Sequence, residues 1–135
     1  MVADLLHELA FIYFVLAHGT DQELSGREVD VMVRKLQEWQ PQLGEDQVRR
    51  VLASAMARYG SRGREDALTA AISKVRTGLP TDQRMAALND LVKIANADGV
   101  FLDDEEDLIN RLLAEWEVDP YANYGQHGNK AQGLP

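Results

Sequence analysis

Two stretches of this chain carry the same spacing of unlike residues. Asp21, Glu28 and Trp39 stand seven and then eleven residues apart, and Asp98, Glu105 and Trp116 repeat those intervals. Both tryptophans of the chain fall at the same place in the pattern. At the same offset of 77, Phe11 pairs with Leu88, Phe14 with Leu91 and Val15 with Val92 upstream, and Met32 with Ile109 and Leu36 with Leu113 downstream. A chain that repeats itself builds its core from related units. The unit here is a helix, an acidic loop and a second helix. The expected fold is an all-α bundle of about six to seven helices built from that duplicated unit.

Apolar periodicity supplies the helices. About Ala3 to Ala17, the residues Leu5, Leu6, Leu9, Ile12, Tyr13 and Leu16 recur at helical spacing. Phe11, Phe14 and Val15 widen the stripe, so this helix is expected to be nearly surrounded, with Gly19 ending it. Ser25 to Glu28 reads as a capping box opening the second helix, in which Val29, Met32, Val33 and Leu36 face inward and Trp39 closes the end before Pro41. Glu45 to Tyr59 carries Val48, Val51, Leu52, Ala55, Met56 and Tyr59 on one stripe. A fourth helix, about Arg64 to Arg76, presents Leu68, Ala71, Ile72 and Val75 and stops at Gly78-Leu79-Pro80. Thr81 is placed to cap the fifth, with Met85, Leu88, Leu91, Val92 and Ala95 inward. The sixth carries Leu108, Ile109, Leu112, Leu113 and Trp116. No segment alternates with a strand's period of two. The pattern divides the chain into a helical domain over residues 1–118 and a tail over 119–135, whose lack of apolar periodicity predicts flexibility unless something holds it. Tyr121 and Tyr124 are placed to fold back onto the body.

Composition narrows the function. The chain has 135 residues and no cysteine, which removes disulfides, Cys-ligated zinc, iron–sulfur clusters and thiol catalysis. Its formal net charge of −8 argues against nucleic acid and anionic membranes, and permits cations and basic partners. The longest apolar run, Leu9 to Ala17, is about half of the roughly 20 residues that a membrane span needs, so direct insertion is not expected. The early charges Asp4 and Glu8 are the wrong sign for a signal peptide, which makes the cytoplasm the expected compartment.

The repeated loops hold the site-like chemistry. The first runs from Asp21 to Glu28 and the second from Asp98 to Glu105, with Leu24 or Phe101 placed to plug the junction. One reading is structural. An Asp in a turn bonds its own backbone, and a carboxylate in a first helical turn satisfies free N–H groups at the favourable end of the dipole. Asp103 and Glu106 are spaced for a capping box of their own. The other reading is a site for a hard divalent cation of the calcium or magnesium type, which takes several oxygen ligands. Asp98, Asp103, Asp104, Glu105, Glu106 and Asp107 fall within ten residues. The spacing is not that of an EF-hand, because Val100, Phe101 and Leu102 occupy positions that motif gives to oxygen donors. Such a site would be irregular, partly hydrated and weak.

The run Ala97-Asp98-Gly99, followed by Glu105 and an apolar helix, resembles the signature of the TerB-like family. The resemblance covers about residues 5 to 117 and is stronger in the second unit, since Gln22 stands where the family has Gly. It implies an all-helical bundle with a duplicated unit and acidic loops. It also implies a role in resistance to tellurite and other stresses, with metal-ion binding and membrane-associated complexes. The family's acidic positions fall on Asp21, Glu28, Asp98 and Glu105. The candidate metal ligands are therefore Asp21, Glu28, Asp98, Asp103, Asp104 and Glu105.

Other chemistry is poorly served. His7 and His18 lie roughly 16 Å apart along one helix, too far to share a metal. His127 is in the tail. Ser25, Ser54, Ser61 and Ser73 have no base at a readable spacing. Gly60 to Gly63 lacks the Lys-Ser/Thr of a phosphate loop. Arg58, Arg62, Arg64, Lys74 and Arg76 read as solvated helix faces that bracket one junction. The expectation is a non-enzymatic module in stress resistance that uses its acidic loops to bind a divalent cation, a protein partner in a membrane-associated complex, or both. The alternative is a pure interaction scaffold whose acidic residues only cap helices.

Overall fold

The computed structural model describes residues 3–19, 26–60, 63–96 and 103–118. They form α1 (Ala3–Gly19), α2 (Gly26–Trp39), α3 (Glu45–Tyr59), α4 (Arg64–Gly78), α5 (Thr81–Ala95) and α6 (Asp103–Glu115), with no strand among the described residues. Helix α1 packs against all five others. Those five close a ring around it in the order α2, α3, α4, α6, α5 and back to α2. Leu6, Leu9, Phe11, Ile12, Tyr13 and Leu16 are therefore almost wholly buried, and even Glu8 is enclosed. Burial of this kind is the main favourable term in folding.

The two halves of the repeat occupy unequal places. α1 is the hub, whereas its counterpart α5 is one member of the ring. Residue type follows that difference at the offset of 77: Ile12 and Leu16 are buried, while Asn89 and Lys93 are exposed. Val92, expected inward, is exposed for the same reason, and Met56 on α3 is exposed as well. The remaining stripes face inward as their spacing predicts, with Val15, Val29, Val51, Tyr59, Met85, Leu108 and Leu113 only half-buried.

Helix ends follow local chemistry. Gly44 precedes α3, and its N–H donates to Gln47 Oε1 at 3.1 Å. Gly63 precedes α4 with φ +79°, a conformation that suits glycine. Pro80, not Thr81, takes the cap position of α5, and the Thr81 hydroxyl instead accepts from Arg84 at 3.0 Å. α6 ends in a Schellman motif: the N–H of Val118 reaches Leu113 O, that of Glu117 reaches Ala114 O, and Glu117 takes the left-handed position at φ 53°. Among the described residues no helix is long and apolar enough to cross a membrane.

Candidate functional site

The predicted acidic ligands are reached unevenly. Asp21 and Asp98 lie outside the described residues, as do Ser25, Leu24, Phe101 and the tail. Asp103, Asp104 and Glu105 form the first turn of α6, where only their backbone is described. Glu28 is the third residue of α2 and is 5 % exposed. A carboxylate there meets the positive end of the helix dipole, which offsets part of the cost of taking it out of water. Among the described residues no three His, Cys, Asp or Glu side chains converge.

What the helices do bring together is a buried polar junction that periodicity did not announce. Tyr13 on α1 donates its hydroxyl proton to Asp90 Oδ2 on α5 at 2.6 Å. The indole N–H of Trp39, at the end of α2, points at the same pair, 3.0 Å from Tyr13 Oη and 3.2 Å from Asp90 Oδ2. Asp90 is 2 % exposed. Burial first, and then the adjacent Asp90 carboxylate, hold the Tyr13 phenol well above its usual range, so it remains a donor. Tyr13 is six residues from the end of α1 and Asp90 is five from the end of α5, under two turns in each case. The second tryptophan does otherwise, since Trp116 donates to Ile72 O on α4 at 3.0 Å. Both indoles close the core, but with different partners.

A second buried carboxylate ties the hub to the ring. Glu8 accepts from Arg58 on α3 at 3.0 Å and from Lys74 on α4 at 3.4 Å. The Arg58 guanidinium also lies 4.6 Å from the centroid of the Phe11 ring and donates to Ala67 O. Arg58 is thus a structural cation rather than part of a solvated face, while Lys74 reaches the same carboxylate from an exposed position. Sequence reading missed this because the acceptor sits on a helix 50 or more residues away.

Two further polar features complete the surface. A groove of about 420 Å³ between α2 and α3 is lined by Asp30, Val33, Arg34, Gln37, Glu45 and Arg49. Hydrogen bonds to Asp30 and Glu45 raise the Arg49 pKa, and the one to Asp30 spans the groove. At the start of α5, Arg84 donates to Trp116 O, and buried Gln83 Oε1 and Arg84 Nε have no partner among the described residues.

No curated protein and no solved structure matches the sequence. Residues 8–122 match the family described as tellurite resistance protein TerB, which takes in α1 from Glu8 onward and every helix after it. With most of its length matched and an all-helical bundle to go with it, the chain belongs to the TerB family.

Proposed function

We propose that this chain is a non-enzymatic module of the tellurite and stress response that holds a divalent cation, a protein partner, or both through its α1–α2 and α5–α6 turns. The observation that carries this reading is Glu28. It is a carboxylate at one of the family's acidic positions, buried in the first turn of α2. The first turn of α6 carries three acidic residues at the corresponding place. The ligands proposed are Asp21, Glu28, Asp98, Asp103, Asp104 and Glu105. The net charge of −8 makes a basic protein surface the matching partner and nucleic acid a poor one. The compartment proposed is the cytoplasm.

A second reading takes support from the same residue, because a first-turn carboxylate also satisfies free helix N–H groups. In that case the module is a scaffold and its acids only shape the turns. Titration of calcium, magnesium, manganese and zinc against the amide resonances separates the two. Cation binding predicts shifts in residues 98–107 and about 2.7 kcal/mol of added stability at 100 times the dissociation constant. Unmoved resonances at millimolar ion leave the scaffold reading standing. Binding that survives Asp98→Asn with Glu105→Gln places the ion elsewhere.

A further inference from the structure

We infer that the groove between α2 and α3 docks an extended segment of a partner protein that carries a basic and an acidic side chain two residues apart. Its volume of about 420 Å³ is that of a ligand cleft. Its charges are only partly used within the chain. Arg49 donates to Asp30 Oδ1 at 3.2 Å and to Glu45 Oε2 at 3.3 Å, which fixes these three side chains in place. Asp30 Oδ2 and Glu45 Oε1 have no donor among the described residues. Arg34 has a carboxylate one turn to either side, at Asp30 and Glu38, yet the first is turned to Arg49 and the second is bonded to Lys35. The Arg34 guanidinium therefore has no partner among the described residues. A purely anionic ligand would face Asp30 and Glu45, and a purely cationic one Arg34 and Arg49, so the fitting ligand carries both signs. Spacing sets its form. Asp30 and Arg34 lie one helical turn apart, about 6 Å along α2. Side chains two residues apart in an extended chain point the same way and stand about 6.5–7 Å apart, a close match. The segment's Lys or Arg meets Asp30 and Glu45, and its Asp or Glu meets Arg34, whose planar fork takes a carboxylate through two hydrogen bonds. Gln37 Nε2 is bonded to Leu43 O, which leaves its Oε1 to accept from a backbone N–H of the segment. No residue of the α1–α2 or α5–α6 turns takes part, so docking here is independent of any ion at those turns.

The probe is the capped peptide acetyl-Ala-Lys-Ala-Glu-Ala-amide, titrated to millimolar concentration into the full chain with a chelator present and followed by amide resonances. Docking predicts shifts clustered at residues 30–37 and 45–49. Arg34→Gln is expected to weaken the peptide by about fivefold or more, through loss of a charge-assisted contact. Arg50→Gln removes an exposed arginine of α3 that does not line the groove, and should leave the affinity unchanged. Both arginines are exposed, so neither change threatens the fold. The control peptide acetyl-Ala-Lys-Glu-Ala-Ala-amide carries the same charges on neighbouring residues, which point to opposite sides of an extended chain. It should bind more weakly, again by about fivefold. Equal binding of the two peptides, or equal losses from Arg34→Gln and Arg50→Gln, would reduce the effect to general ionic attraction and overturn the docking site. Unmoved resonances at residues 30–37 and 45–49 with millimolar peptide would overturn it as well.

Discussion

Tyr13 and Asp90 are 77 residues apart in the chain and 2.6 Å apart in the fold. Removing the hydroxyl leaves a carboxylate that is 2 % exposed with one donor fewer. Tyr13→Phe should lower the unfolding free energy by about 1–3 kcal/mol, because the loss is that of a donor to a buried charged acceptor. Urea denaturation followed by helical circular dichroism measures it. A change below about 0.5 kcal/mol would show that the bond is made as well in the unfolded chain.

The same phenol sets a response to alkali. Its folded pKa is raised and its unfolded value is about 10. Below pH 10 both states are protonated and the bond contributes in full. Above it the unfolded chain releases the proton while the folded chain retains it, so stability falls as pH rises from about 10 towards the folded value. Thermal unfolding from about pH 8 to about 11, which brackets the ordinary phenol titration, should show a steeper decline for the parent chain than for Tyr13→Phe. Parallel curves would contradict the assignment.

The two tryptophans should be unequal. Trp39→Phe removes a donor from Asp90, whereas Trp116→Phe removes one from Ile72 O, a carbonyl inside α4 with its own helical partner. Both variants lose similar volume, so the difference isolates the acceptor. Trp39→Phe is expected to be the more destabilising by about 1 kcal/mol in paired urea titrations. The reverse order would refute this account.

Around Glu8 the damage should depend on which charge is removed. The carboxylate side chain is 7 % exposed, Arg58 31 % and Lys74 61 %. Arg58→Ala leaves the buried Glu8 charge with only the exposed Lys74 and should cost about 3 kcal/mol. Lys74→Ala removes a solvated partner and should cost under about 1 kcal/mol. In a Glu8→Gln chain the Arg58→Ala penalty should shrink to about 1 kcal/mol. Simple additivity in this double-mutant cycle would mean that the pair does not interact.

Glu117 sits at φ 53°, where a side chain is disfavoured and glycine is not. Its ion pair with Arg76 is exposed on both sides, so little is lost with it. Glu117→Gly is expected to raise stability by about 0.5–1 kcal/mol. A lower melting temperature would show that the Arg76 contact outweighs the backbone strain.

Much of this was legible in the sequence. All six described helices fall where apolar spacing puts them, and Phe11, Leu36 and Leu112 are buried as their periods require. α1 is enclosed, as its wide stripe predicts. The hub and its copy were also distinguishable at the offset of 77, because Ile12 and Leu16 face Asn89 and Lys93 in the alignment of the repeats. Asp90 and Glu8 were not legible. Periodicity identifies apolar faces, but a buried carboxylate is marked only by donors that fold onto it from distant helices. Tyr13 was placed inward, yet its hydroxyl partner depends on how α1 crosses α5. Among the site residues, Glu28 is the one whose side chain is described, and its burial is a property of α2's packing that spacing alone does not state.

The enclosed first helix also bears on how the chain is made. At about 5–20 residues per second, α1 leaves the ribosome many seconds before the ring that covers it can be completed by α6. Through that interval Leu9 to Ala17 forms an apolar segment whose partners have not all been synthesised. Stalled chains ending before α6 should therefore yield to protease in α1, and chains that include α6 should resist. A fold organised around a helix made before the five that cover it leaves its stickiest surface uncovered longest, and its yield in the cell will depend on what holds α1 until α6 arrives.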